Sequence, residues 1–171
     1  YRHADKKRYA LGNPNNAIIA LLILNAVFFL TLLTIRVFYL TNTQTIQEFN
    51  QNILSNVQLP STWHLWLQKP WTLITYMFSD SSEQVWRLVS NIIWMASFAY
   101  LLQEQHENDK ILPVYLYGGF VAGLTFIGCA SLFLIEGSQH LLGANAAVVS
   151  VAVAATAYNP GYRFFRHLGQ G

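Results

Sequence analysis

The stretch from Leu141 to Tyr158 restricts the fold most, because it is apolar or small throughout and contains no charged residue. At about 1.5 Å per residue, a helix of this length nearly crosses a hydrocarbon layer of about 30 Å. Ala is its commonest residue, whereas helices that face lipid favour Leu, Ile and Phe. We therefore predict a transmembrane helix over residues 141–158 that is surrounded by other helices.

Two faces of this helix differ in character when it is wound at about 100° per residue. One face is made of small residues, which lets a neighbouring backbone approach closely. The other face begins with Asn145, whose amide needs hydrogen-bond partners at membrane depth. We therefore expect a central helix with partly polar neighbours. The small-residue face comprises Gly143, Ala147, Ser150, Ala154 and Ala157.

The composition is that of a membrane protein. Of the 171 residues, 53% are hydrophobic and 11% are charged, against about 25% charged in an average soluble domain. The net charge of +2 is small and scattered, so we expect no nucleic-acid partner. The single cysteine, Cys129, excludes a disulfide framework and a cysteine-based metal site. We predict one membrane domain over residues 1–171, with no metal and no cofactor.

Three further apolar runs complete the prediction of an all-α polytopic membrane protein. They predict spans at about residues 17–36, 85–102 and 112–135, which makes four transmembrane helices with 141–158. Small residues occur on two adjoining stripes of the third span, so this helix can pack closely on two sides. The residues that we predict to pack helices together are Gly118, Gly119, Ala122, Gly123, Gly143 and Ala147.

The distribution of Lys and Arg predicts the orientation of the spans. Four of these residues precede the first span, within residues 1–16, and Arg163 and Arg166 follow the fourth. Because cytoplasmic segments are enriched in Lys and Arg, we place the N-terminus in the cytoplasm. Four spans with both ends inside are then the simplest topology.

Residues 41–84, between the first and second spans, are too long and too polar for a simple turn. Three of the five tryptophans lie here, at Trp63, Trp66 and Trp71. Tryptophan is enriched at the boundary between headgroups and hydrocarbon. We therefore predict a membrane-associated loop that lies on or dips into the outer leaflet.

Two asparagines are candidates for chemistry. Asn145 follows Gly143 at the start of the fourth span, where a helix N-terminus offers free N–H groups. An intramembrane protease would place its nucleophile at such a point, beside an oxyanion site, but Asn is not a nucleophile in this chemistry. An interhelical hydrogen bond is the alternative role of Asn145. Asn91 is open to the same two readings, as an oxyanion donor or as a packing contact.

The remaining residues that could take part in catalysis or bind a metal do not predict a second site. None of the five histidines lies inside a predicted span, and no spacing of His, Asp and Glu resembles a metal site. We therefore expect surface histidines. Asp80 and Glu83 lie with Arg87 near the mouth of the second span, where a solvated ion pair is the ordinary explanation.

Four segments together resemble the first four transmembrane helices of bacterial rhomboid intramembrane serine proteases. They are KPWTLITYMF at Lys69–Phe78, Asn91, the Tyr117-Gly118-Gly119 run, and LLGANAA at Leu141–Ala147. The resemblance covers nearly the whole chain. It implies a six-helix core in which a Ser of a G-x-S-x motif on the fourth helix is activated by a His on the sixth. A His and an Asn on the second helix support the oxyanion in that family.

The positions of this chain that match the family's site carry other residues. Asn145 stands where the nucleophilic Ser is expected, and Arg87 stands where the second-helix His is expected. Asn91 matches the oxyanion Asn, whereas Asp80 or Ser82 replaces a further His of the first loop. The resemblance therefore implies a pseudoprotease, with no catalytic residue in this chain.

Two classes of function follow from these expectations. The first is a catalytically inactive accessory or scaffolding subunit of the bacterial inner (cytoplasmic) membrane, with lipids and the transmembrane helices of other membrane proteins as partners. The alternative is a rhomboid-type serine protease whose catalytic residues lie outside this sequence.

Overall fold

Helices dominate the protein, as the apolar runs predict. The structure is a computed structural model that describes residues 16–42, 45–80, 85–105, 110–132 and 140–158. A 3-10 turn at Leu54–Asn56 and two short strands, β1 (Leu59–Pro60) and β2 (His140–Leu141), join the helices. The helices are α1 (Ala17–Thr41), α2 (Ile46–Asn52), α3 (Trp63–Gln68), α4 (Thr72–Thr75), α5 (Val85–Gln105), α6 (Ile111–Leu132) and α7 (Asn145–Tyr158).

Three of these helices are long and apolar enough to cross a membrane, namely α1, α5 as far as Gln103, and α6. They confirm a multi-pass helical membrane protein. The 14 residues of α7 reach about 21 Å at about 1.5 Å per residue, which is shorter than a hydrocarbon layer of about 30 Å. The fourth span is therefore not confirmed, and the four-span topology stays a prediction.

The fourth apolar helix begins four residues later than Leu141, where the sequence predicts its start. Leu141 pairs with Leu59 in the antiparallel β1–β2 ladder. Gly143 then adopts a φ of +123°, and its N–H donates to the Tyr76 carbonyl at 3.0 Å. A backbone with this φ cannot continue a right-handed helix, so residues 142–144 form a turn that sets where α7 begins.

Close packing of α7 against α5 and α6 forms the centre of the bundle, and α1 packs on α5 and α6 from another side. Gly118 of α6 faces Ser150 so closely that a Cβ at this glycine would overlap the serine side chain. The next glycine, Gly119, faces Met77 and Ala147. These two glycines thus allow the backbone of α6 to approach α7 and the loop that precedes α5.

The remaining predicted packing residues occupy different environments. Gly123 faces Leu73 and Tyr76 of the loop rather than another long helix. Ala147 is buried, whereas Ala122 is half-buried.

The segment from Thr45 to Asp80 is packed on one side and exposed on the other. Leu73 and Tyr76 are buried, and the Tyr76 hydroxyl donates to the Gly119 carbonyl of α6. Trp63 and Trp71 remain about half exposed, at 52% and 50%. The exposed tryptophans suit the headgroup boundary, and the contact with the outer leaflet stays a prediction.

A chain of buried hydrogen bonds connects α1, α6 and this loop. The Tyr115 hydroxyl of α6 donates to the Met77 carbonyl at 2.7 Å. It also accepts from the Asn25 side-chain amide of α1 at 3.3 Å. Because all three groups lie inside the bundle, these bonds fix the loop that precedes α5 against two long helices.

Candidate functional site

An open cleft of about 420 Å³ lies between α5 and α7. It brings together three residues that the sequence singles out, namely Arg87, Asn91 and Asn145. One end of the cleft is therefore polar and the other is apolar. The remaining lining residues are Ser90, Trp94, Phe98, Val148, Val149 and Ala152.

Asp80 does not line the cleft but contacts two residues of its polar end, Arg87 and Asn91. Its side chain is 3% exposed, and Oδ1 lies 3.8 Å from Nε of Arg87, whose side chain is 32% exposed. Oδ2 of Asp80 accepts a hydrogen bond of 2.9 Å from the amide of Asn91. The prediction of a solvated ion pair is therefore wrong in one respect, because the carboxylate of Asp80 is buried. Ser82 and Glu83 lie outside the described residues.

Gly143, two residues before α7 begins, lies beside this carboxylate. A Cβ added at Gly143 would lie 3.6 Å from Asp80 Oδ1 and 4.0 Å from Cδ of Arg87. The N-terminus of a helix carries a partial positive charge, and its first N–H groups have no partner within the helix. A buried carboxylate near this end of a helix is stabilised electrostatically, and Asp80 also contacts Arg87 and Asn91 of α5.

Asn145, at the position equivalent to the nucleophile, is exposed in the cleft. Within the described part of the chain, its side chain has no hydrogen-bond partner. It makes no interhelical bond to the described helices, and its role stays open between the two expectations. Asn91, by contrast, is buried and is bonded to Asp80, which makes it a link between helix and loop.

The apolar end of the cleft contains an aromatic pair that the sequence analysis missed. Trp94 and Phe98 stack with ring centroids 5.5 Å apart and an interplanar angle of 11°. Their spacing of four residues along α5 places both rings on one helix face. This spacing could have identified the pair from the sequence. Aromatic residues four positions apart also occur, however, in helices that only face lipid.

The cleft contains no pair of groups suited to nucleophilic catalysis among the described residues. Ser90 supplies the one hydroxyl of the lining, and the lining has no His, Cys or Lys. His140 lies in β2, where burial and then the positive charge of Lys69 lower its pKa. Burial raises the pKa of Tyr76 to about 12, so this phenol stays neutral. No three His, Cys, Asp or Glu residues converge within the described ranges.

Comparison with known proteins identifies the family. The family model of the Rhomboid domain matches residues 67–165, which is more than half of the chain. The match runs from the end of α3 through α7 and so includes every residue that lines the cleft. No curated protein and no solved structure gives a significant match. The protein belongs to the rhomboid family.

Proposed function

We propose that this rhomboid-family protein is catalytically inactive and acts as a helix-binding accessory or scaffolding subunit of a larger complex in the bacterial inner membrane. The main support for this proposal is the position of Asn145. It lies at the start of α7 and faces the open cleft, at the position where the family resemblance implies the nucleophilic Ser.

The chemistry of the cleft supports the absence of peptidase activity. A carboxamide does not supply the alkoxide that attacks a peptide carbonyl. Arg87 lies against Asp80, and a guanidinium has no acceptor atom for a proton, so it does not act as the general base. Ser90 has no described His or Lys in the cleft to remove its proton. Triad-type groups act as a unit, so one hydroxyl without its base contributes little.

The described residues leave one side of α7 exposed, which supports helix binding. Val149 and Val153 are 58% and 60% exposed, and Trp94 on the opposite wall is 52% exposed. Lipid provides no hydrophobic force between helices, so association depends on close packing and on polar contacts. The cleft offers both, because a small-residue helix borders it and its polar end presents Asn145.

A serine-reactive fluorophosphonate tests the absence of activity. We expect no labelling of the full-length protein in liposomes, and none of the Asn145→Ser variant, since neither has a described base beside the hydroxyl. An active rhomboid protease in the same liposomes serves as the positive control. Labelling of the wild type would contradict the proposal and favour a protease whose catalytic residues lie outside this sequence.

Photocrosslinking in cells tests helix binding. A photoreactive phenylalanine analogue at Val149 should crosslink to a transmembrane segment of one identified membrane protein. The same analogue at Leu132, which is 81% exposed and lies on α6 outside the cleft lining, is the matched control and should crosslink to lipid alone. Crosslinks to lipid alone at both positions would contradict the proposal.

A further inference from the structure

A small internal cavity of about 10 Å³ lies between α1, α5 and α7. Six of its nine lining residues are buried, and three of these six have polar side chains, namely Asn25, Asp80 and Asn91. We infer that this cavity binds one water molecule, which links Asn25 of α1 to the carboxylate of Asp80. The other lining residues are Leu22, Leu88, Ile92, Met95, Ala144 and Val148.

The volume and the charge of the cavity limit its ligand. A single buried water needs a cavity of about 10–15 Å³ and polar groups to which it can form hydrogen bonds. The cavity has this volume and three polar side chains in its lining, and a larger polar molecule would not fit. The carboxylate of Asp80 already has Nε of Arg87 at 3.8 Å, so a neutral ligand suits the site better than a second cation.

Asn25 contributes a buried acceptor that lacks a donor among the described residues. Its amide nitrogen donates to the Leu21 carbonyl at 2.9 Å and to the Tyr115 hydroxyl at 3.3 Å. The same hydroxyl lies 3.4 Å from the Asn25 oxygen, but its single proton is directed at the Met77 carbonyl, 2.7 Å away. Since Asn25 is only 8% exposed, its oxygen needs another donor, and a water in the cavity would supply one.

Asp80 and Asn91 provide the other hydrogen-bond partners. A carboxylate has about four acceptor positions on its two oxygens, so Asp80 can accept from a water as well as from Asn91. Among the described residues, this bond to Asp80 is the one hydrogen bond of the Asn91 side chain, and its second N–H can therefore donate to the water. Donation to Asn25 and Asp80 and acceptance from Asn91 give the water about three hydrogen bonds, the usual number for a buried water.

A water at this place would extend a polar network across the bundle. The Tyr115 hydroxyl of α6 already connects the Met77 carbonyl with Asn25 of α1. The water continues this chain from Asn25 to Asp80, and the bond from Asn91 to Asp80 carries it on to α5. The contact between α1 and α5 would then be polar as well as apolar. This role does not depend on whether the protein cleaves or binds other proteins.

Hydroxyl-radical footprinting tests the inference, because radiolysis of a bound water yields a radical that oxidises the side chain beside it. The two methionines form a matched pair, since Met95 lines the cavity and Met77 does not. Both are buried, at 2% and 1% exposure. In the full-length protein in nanodiscs, mass spectrometry should find Met95 oxidised severalfold faster than Met77. A radical scavenger in the bulk solvent should protect exposed residues and leave the oxidation of Met95 unchanged.

Two variants of the cavity should abolish the fast oxidation. Val148→Ile adds a methylene group at the cavity wall, and Asn25→Leu removes the oxygen that needs a donor. Both should lower the oxidation rate of Met95 to that of Met77. Val149→Ile is the matched control, because Val149 does not line the cavity, and it should keep the fast oxidation. Met77 also reports on folding, since an unfolded variant would expose both methionines.

Two outcomes would overturn the inference. One is equally slow oxidation of Met95 and Met77 in the wild type, which would show that the cavity is dry. The other is fast oxidation of Met95 that the scavenger suppresses or that persists in a folded Val148→Ile variant, which would show that the radicals come from bulk solvent. The wild type, measured with and without the scavenger, decides between these results even where a variant does not fold.

Discussion

Gly143 has a backbone conformation that residues with a side chain rarely adopt, with φ at +123°. Space is not the constraint, because a Cβ there would make ordinary contacts with Asp80 and Arg87. Gly143→Ala should therefore destabilise the fold through backbone strain, by about 1–3 kcal/mol. The measurement is the free energy of unfolding in detergent, followed by circular dichroism during titration with a denaturant.

Gly128→Ala is the matched control for this substitution. Gly128 lies within α6, and a Cβ there would meet no atom within 4 Å. Alanine also favours a helix over glycine by about 1 kcal/mol in soluble hosts. The control should therefore be as stable as the wild type or more so. Equal losses of unfolding free energy for the two substitutions would refute backbone strain as the cause of the effect at Gly143.

His140 predicts a dependence of stability on pH. Its pKa is lowered in the folded protein, first by burial and then by Lys69. The unfolded chain, with a histidine pKa of about 6.5, therefore binds more protons than the native state in mild acid. The stabilisation from neutral His140 is complete above about pH 6.5 and is lost as the pH falls through the lower folded value.

The melting temperature between pH 8 and pH 5 measures this effect. The wild type should lose more stability over this range than His140→Gln, which cannot titrate. Curves that stay parallel over the whole range would show that His140 contributes nothing to the pH dependence.

Arg87, Asn91 and Asn145 could be selected from the sequence, but their environments could not. Arg87 and Asp80 are close enough in sequence to suggest an ion pair. The burial of Asp80 depends on the start of α7 lying beside it, more than 60 residues later in the chain. The environment of Ser90 could not be predicted either, because the absence of a hydrogen bond from its hydroxyl to its own helix is visible only in three dimensions.

At the scale of elements, the contact between α6 and α7 depends on one glycine. A Cβ at Gly118 would overlap Ser150, whose hydroxyl donates to the Val114 carbonyl of α6 at 3.1 Å. Gly118→Ala should therefore separate the helices and cost about 1–3 kcal/mol, a typical cost of overpacking. The free energy of unfolding in detergent measures this loss.

A double-mutant cycle checks that the cost arises at this contact. Ser150→Gly removes the atoms that the new methyl group would overlap. Gly118→Ala should therefore cost less in the Ser150→Gly background than in the wild type, by 0.5 kcal/mol or more on the usual scale of about 0.5–3 kcal/mol for contacting residues. Additive effects of the two substitutions would contradict a direct contact.

The long helices could be predicted from the sequence because their apolar runs are uninterrupted. The first residue of the short α7 could not be predicted in this way. Residues 141–144 are as apolar as the helix that follows, and hydropathy does not register the φ of Gly143 or the pairing of Leu141 with Leu59. Among the described residues, Val149 and Val153 on one side of α7 are mostly exposed, so the expectation of a helix surrounded by other helices stays a prediction.

At the scale of the whole molecule, the β1–β2 pairing places the loop after α1 beside the residues that precede α7. This loop and the start of α7 therefore lie at one end of the bundle, together with the start of α5. The last turn of α5 and Lys110, which comes directly before α6, lie at the other end. The Lys and Arg residues that precede α1 predict that the end with Lys110 is cytoplasmic.

Cysteine labelling tests this orientation on a background in which the native Cys129 is replaced by Ala. Gln51 and Lys110 are both exposed, and they lie at opposite ends of the bundle. A membrane-impermeant maleimide should label Gln51→Cys on intact spheroplasts and Lys110→Cys only after permeabilisation. The same two variants in detergent control for reactivity, since both should be labelled there. The reverse pattern would mean that the positive residues near the N-terminus do not set the orientation. Labelling of both positions on intact spheroplasts would show that α5 does not cross the membrane.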